Sequence, residues 1–344
     1  MVHTSNEVPP PSDRYYRRGT RPKKILWLTA LGSLLLAGLV GVAVYAGYLP
    51  LALSREASAP AAATATPSPV PAAASPEADI TVVGDMFFDR YIRQISDERG
   101  QDYIFSCLGG SLSRSDFMVG NLEGPITATS SVSEGTKMGT PKNYIFTFPT
   151  STAALLARHA VRIVNIGNNH IGNMGMAGIA ETRAYLSAAG VGSFGGLAGD
   201  EPIYRIEDKG VPLSFVNYNQ FGGNTPAEVA QTIAEEHVAG RTVIVYAHWG
   251  TEYSEDVSRI RPIALLFAQS GAAAVIVSHP HIVLSHEYIG TTLVYYSLGN
   301  FIFDQYWNEQ VDHGLALLLH IEKGRVTAEE FPVVLLSDGR TCPA

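Results

Sequence analysis

Three histidines, two carboxylates and one asparagine follow directly on short apolar runs: Asp85 in VVGDMFFDR, Glu123 in GNLEGPI, Asn169 in NIGNNHIGNMG, His248 in YAHWGTEY, and His279 and His281 in SHPHIV. A nitrogen and oxygen donor set without thiolate suits Mn, Fe or Zn at a working site rather than a structural zinc. His279 and His281 form the most pointed pair. Two imidazoles two residues apart, in an extended segment stiffened by Pro280, can both reach one metal cluster. Two ions about 3.5 to 4 Å apart need a bridging carboxylate and several ligands each, and Glu123 is the natural bridge. The expected cofactor is therefore a divalent transition metal, as one ion or two, which polarises a phosphoryl or acyl oxygen and activates water at neutral pH. His170, beside Asn169, is the candidate catalytic group, as general acid or as electrostatic stabiliser. Each residue also has a plainer reading, since an aspartate after a strand commonly caps or turns the chain. The whole set can equally be a buried network whose members satisfy one another.

The elements that must position these groups are legible from periodicity. From Asp79 onward, short apolar runs alternate with segments of helical period, the pattern of a layered α/β domain. Strands are predicted at 80–83, 117–119, 161–166, 213–217, 242–247, 274–277, 293–296 and 315–321, and helices at 152–159, 174–189, 226–237 and 258–269. Asp85, Asn121, Glu123, Asn169, His170, His248, His279 and His281 all follow strands, and ligands of open α/β sheets gather at the carboxyl ends of strands. The remaining histidines, including His159, His237, His286, His313 and His320, have no motif.

The composition is uneven along the chain. Residues 1–24 carry six Lys/Arg against two acids, while the whole chain has a net charge of −8, so the other 320 residues carry −12. That acidic remainder argues against nucleic acid, and against a polyanion held by bulk attraction alone. Residues 25–48 form an uncharged apolar run long enough to span a hydrocarbon core of about 30 Å. The basic cluster before it places the amino terminus in the cytoplasm and everything after Tyr48 outside, a single-pass anchor in the cell membrane. A cleaved signal peptide is the rival reading, but the run exceeds the usual apolar core of such peptides. Residues 49–78 are rich in Ala, Pro, Ser and Thr and read as a tether. One globular domain is expected over 79–337, then a tail over 338–344. Cys107 and Cys342 are too few for a disulfide framework; they can pair in an oxidising compartment, and the plainer expectation, with Cys342 in a frayed tail, leaves them unpaired.

The ordered blocks VVGDMFFDR, GNLEGPI, NIGNNHIGNMG, YAHWGTEY, SHPHIV and YSLGNFIFD together resemble the CapA family of capsule and poly-gamma-glutamate synthesis proteins. The resemblance implies a metallophosphoesterase-like, four-layer α/β/β/α sandwich preceded by one transmembrane helix, with a place in making or exporting a capsule polymer. It implies metal ligands at Asp85, Glu123, Asn169, His248, His279 and His281. Two departures stand out. Phe87 occupies the histidine position of the phosphoesterase Asp-x-His motif, and Asn173 replaces the aspartate that usually follows the motif histidine, leaving the orientation of His170 in question. Trp249, Glu252, Tyr253, Asn300 and Asp304 are the candidates to line the substrate cleft, although Phe301 and Phe303 alternate as a buried strand face would. Three functions follow as expectations: a metal-dependent hydrolase of a phosphoester or gamma-glutamyl amide, a non-catalytic accessory subunit that binds the polymer or a membrane synthase complex, or a general envelope phosphoesterase.

Overall fold

Strands whose every residue is apolar or small must be covered on both faces, and alternation then decides which face meets which layer. The computed structural model describes residues 77–112 and 114–344. The expected cytoplasmic tail, the expected anchor over 25–48 and nearly all of the expected linker lie outside the described residues. Among the described residues no helix is long and apolar enough to cross a membrane.

In chain order the elements are β1 (Glu77–Met86), α1 (Arg90–Arg99), β2 (Phe117–Leu122), α2 (Thr152–Arg158), β3 (Val161–Asn165), α3 (Gly175–Ala188), β4 (Gly192–Phe194), β5 (Ile203–Asp208), β6 (Val211–Asn219) and α4 (Pro226–Val238). Then come β7 (Thr242–His248), α5 (Arg261–Gln269), β8 (Ala274–Ser278), β9 (His286–Ile289), β10 (Thr292–Tyr295), β11 (Asn300–Ile302), α6 (Glu309–Asp312), β12 (His313–Glu322), β13 (Arg325–Leu335) and β14 (Thr341–Pro343). The first sheet runs β14-β13-β12-β1-β2-β3-β4, with β11 beside the end of β1, and the second runs β5-β6-β7-β8-β10-β9. β1 to β4 are parallel to one another, as are β6, β7, β8 and β10. The chain is thus a mixed α/β fold with two sheets and helices.

Period-two alternation sorts the side chains into three cores. Ile80, Val82, Phe117, Val119 and Ile163 of the first sheet join Leu213, Phe215, Ile244, Tyr246 and Ile276 of the second in one buried cluster. Val83, Met118 and Val164 point the other way, onto Ile92 of α1, Leu155 and Leu156 of α2 and Ile179 and Leu186 of α3. Val243, Val245 and Val275 pack against Val229 and Ile233 of α4 and Ala264 and Phe267 of α5. Helix α4 starts where sequence rules place it: Thr225 and Glu228 form a reciprocal capping box, with Pro226 in the first turn.

Register carries the polar residues to one end of the parallel strands. Asp85 lies opposite Asn121 and Asn300, Asn121 opposite Asn165, and His248 opposite Ser278 and Asn219. The approach of β11 to β1 depends on Gly84, where a Cβ would sit 1.9 Å from the carbonyl oxygen of Gly299.

Three expectations are corrected. The first strand starts at Glu77, inside the expected linker. Residues 341–343 are not a frayed tail but strand β14, paired with β13. Cys107 and Cys342, 235 residues apart, are joined in a disulfide that ties β14 to the segment after α1. Helix α1 and the hairpin partner β13 escaped the sequence reading because both are rich in charge: RYIRQISDER buries only Ile92, Ile95 and Ser96.

Candidate metal centre

The parallel strands deliver the donors from their carboxyl ends. Asp85 sits at the end of β1, Glu123 one residue past β2, His248 at the end of β7, and His279 and His281 in the loop after β8. Asp85, Glu123 and His248 are fully buried, and His279 and His281 nearly so. The ligating atoms of Glu123, His248 and His279 lie within 4.8 Å of one another, and so do those of Glu252, His279 and His281. Two buried atoms in this cluster, Glu123 Oε1 and His279 Nδ1, have no hydrogen-bond partner. An orphaned buried carboxylate oxygen facing imidazoles is costly unless a cation completes it. The donor set therefore has the geometry to hold a metal ion.

The hydrogen bonds behind the donors select which nitrogen faces inward. His248 Nδ1 lies 3.1 Å from Ser278 Oγ, while its Nε2 lies 2.9 Å from Asn169 Oδ1 and 3.5 Å from Glu123 Oε1. His281 Nδ1 lies 2.9 Å from Asn300 Oδ1 and 3.3 Å from Asp85 Oδ2, leaving Nε2 as its free nitrogen. Such outer contacts fix tautomer and ring orientation at metal sites. Burial depresses His248 to about 3, and burial with neighbouring His248 and His281 lowers His279 well below the ordinary imidazole range. Both rings are neutral, the form that ligates a metal. Burial, then the charges of Asp85 and Glu252, push Glu123 well up. Burial would raise Asp85 too, but His281, His248 and the Asn121 amide hold it below the usual carboxylate range.

The loop carrying the two histidines is not extended, as the sequence suggested. His279 has φ 101° and His281 φ 58°, and facing Tyr253 has φ 60°. Left-handed conformations at residues other than glycine cost of order 1 to 3 kcal/mol each and gather at functional sites.

The pattern of the bacterial capsule synthesis protein PGA_cap matches residues 79–305 of this chain. This chain belongs to the PGA_cap family. It is 28% identical over 261 residues to the PGA biosynthesis protein CapA of Bacillus subtilis (strain 168), covering 70% of this chain and 67% of the relative. It is 25% identical over 264 residues to the capsule biosynthesis protein CapA of Bacillus anthracis, covering 69% of this chain and 62% of that relative. The chain thus spans about two thirds of the length of these curated relatives.

Every candidate residue falls inside the PGA_cap region, but not all face one cavity. Asn169 meets His248, as above. His170 is half-buried, stacked 4.0 Å from Phe146, and its Nδ1 lies 3.2 Å from Asn173 Oδ1. Because Asn173 Oδ1 also accepts the Phe146 N–H at 2.7 Å, Asn173 orients His170 as an aspartate would, with Nδ1 as the donor. Burial lowers His170 to about 3. Trp249 is fully buried among Tyr218 and Phe267, so it lines no substrate cleft. Asn300 is fully buried too, its amide nitrogen donating to Gln305 Oε1 and the Val311 and His281 carbonyls; it positions His281. Asp304 pairs with Arg90 and lines a separate cleft of about 490 Å³ with Asn143, Tyr91 and Tyr306. Glu252 belongs with the imidazoles. Phe87 is fully buried against Phe146, Phe148 and Phe303, with the Arg90 guanidinium 4.5 Å from its ring, and offers no donor.

Behind the PGA_cap donors stands a row of buried asparagines, of which the sequence reading picked out only Asn121. Asn217 Nδ2 donates to Asn165 Oδ1 at 2.8 Å, Asn165 Nδ2 to Asn121 Oδ1 at 2.8 Å, and Asn121 Nδ2 to Asp85 Oδ1 at 2.7 Å and to Glu123. Each amide dipole points towards the carboxylates and supports their charge. Their only trace in the sequence is an excess of asparagine at strand ends. Asn121→Ala removes the donor to Glu123 and takes one partner each from Asp85, Asn165 and Asn168, which keep others, so a loss of about 2 to 3 kcal/mol is expected, read by urea unfolding of metal-free protein.

Proposed function

We propose that this chain is a single-pass, membrane-anchored protein whose globular part stands outside the cytoplasm. There it hydrolyses a phosphoester or a gamma-glutamyl amide with a divalent transition metal, Mn, Fe or Zn, in the making or export of a capsule polymer. The observation that carries the reading is the buried cluster of Glu123, His248 and His279 with its two unpartnered donor atoms. The family and the printed names of the two CapA relatives support the pathway. The apolar run over 25–48 supports the anchor, and the Cys107–Cys342 disulfide supports an oxidising compartment.

A bound ion would polarise the scissile group and activate water. Glu123, His248 and His279 would hold it, with Asn169, Asp85 and His281 alongside. His170, clamped through Nδ1, presents Nε2 to substrate. Asn121 and Asn300 keep the donors aimed. The apolar floor of Phe87, Phe146 and Phe303 excludes water from one side of His281 and His170.

Phe87 favours a second reading, an accessory subunit in which the same cleft binds polymer or a membrane synthase without turnover. The two separate on the purified full-length chain. The hydrolase reading expects about one or more equivalents of transition metal. It also expects turnover of a chromogenic phosphoester or gamma-glutamyl anilide that chelation abolishes and metal restores. Protein free of metal and inert on both substrates leaves the accessory role.

A further inference from the structure

We infer that Glu252 is itself a metal ligand, and that with His281 it holds a second divalent cation beside the one held by Glu123, His248 and His279. The inference rests on the metal-dependent reading above, takes its two-ion form, and adds to it a ligand residue.

Glu252 lies four residues past the end of β7, where Gly250 (φ 101°) and Tyr253 (φ 60°) turn the chain back. The Tyr253 N–H donates to the Pro280 carbonyl at 2.9 Å, which clamps this loop onto the one carrying His279 and His281. The ring of Tyr253 lies 5.9 Å from that of His281, closing the same corner. The Glu252 carboxylate comes to rest within 4.8 Å of a nitrogen of each histidine. It is half-buried, yet makes no hydrogen bond or ion pair among the described residues. Three other enclosed carboxylates are fully matched: Asp304 by Arg90, Glu236 by Arg205 and Ser214, Asp89 by Arg93, Ser133 and the Thr147 N–H. A sequestered carboxylate left facing two imidazoles is short of a cation.

Ligand geometry and charge both call for a second ion. His281 turns Nδ1 to Asn300 and Asp85, so Nε2 is the nitrogen offered towards Glu252. Asp85, Glu123 and Glu252 have no Lys or Arg ion pair among the described residues. One divalent cation leaves this trio net negative; two leave it one positive charge, matched by an anionic substrate group. His279 belongs to both donor groups, so the two sites are contiguous, as in a binuclear centre. Phe87, locked among phenylalanines just after β1, cannot contribute, and Glu252 supplies a donor from the loop after β7 instead.

The test uses full-length wild type, Glu252→Gln, Glu252→Asp and His248→Ala, each loaded with Mn(II), dialysed, and read by metal stoichiometry and electron paramagnetic resonance. Wild type is expected to retain two Mn(II) per chain with an exchange-coupled spectrum. Glu252→Gln, close to isosteric, is expected to retain one with the spectrum of an isolated ion, and Glu252→Asp to keep two with the second bound more weakly. If wild type and Glu252→Gln hold the same number of ions at the same affinity, whether one or two, Glu252 is no ligand, while the metal-dependent reading stands. If wild type holds none, that reading fails first and this one with it.

Discussion

His248→Ala is expected to lower transition-metal affinity by more than about 100-fold, since changes to groups merely behind a ligand already cost 10 to 100-fold. The residue has no exposed surface, and its Nε2 faces both Asn169 and Glu123. Its loss opens a void between those groups and leaves Ser278 Oγ without its imidazole partner. Neither Phe221 nor His279, whose rings lie 5.9 and 4.8 Å away, brings a replacement nitrogen to that position. Turnover should fall with the metal. A ligand in excess of its Kd by about 100-fold stabilises a fold by about 2.7 kcal/mol. Added metal should therefore raise the melting temperature of wild type and leave that of the variant nearly unchanged. Equal metal-induced shifts in the two proteins, measured by calorimetry, would remove the central donor from the site.

Reduction of the Cys107–Cys342 bond should destabilise the domain by about 3 to 5 kcal/mol, because a cross-link closing a loop of 235 residues restricts the unfolded chain over a long span. Domains of this size lose roughly 2 to 4 °C per kcal/mol, so a fall near 10 °C is expected. The same change follows from Cys107→Ser with Cys342→Ser. The consequence is local as well as global. β14 has three residues and, among the described residues, pairs only with β13, yet it carries Thr341, whose hydroxyl donates to the Phe301 carbonyl of β11. Releasing it loosens the strand that presents Asn300 to His281. Hydrogen exchange in reduced protein should show early opening at 341–343 and 300–302. An unchanged melting temperature on reduction, with complete thiol titration, would show that strand pairing alone holds the carboxyl end.

Apolar runs such as VIVYA and AVIV announced themselves because a strand covered on both faces needs no polar residue in its interior. The turn after each announced the donors, since a polar group following such a run stands at the strand end. Charge-rich elements did not announce themselves. Helix α1 and strand β13 each bury a narrow stripe, and their placement comes from contacts with partners far along the chain. Beyond Asn121, the asparagine row was invisible for a related reason: an asparagine at a strand end reads as a turn until another sheet position supplies its acceptor.

What the sequence by itself determined is the identity of the donors, their order along the chain and their places at strand ends, because periodicity and polarity are local properties. Which way those side chains turn was decided only by the tertiary structure. Trp249 and Glu252 share one block, yet one is sealed beside Phe267 and the other reaches His279 and His281. That division depends on the left-handed turn at Tyr253 and its bond to Pro280, a contact between segments 27 residues apart. Cys107 and Cys342 meet for the same reason. Long-range pairing sets backbone direction in loops, and no window of sequence contains both partners.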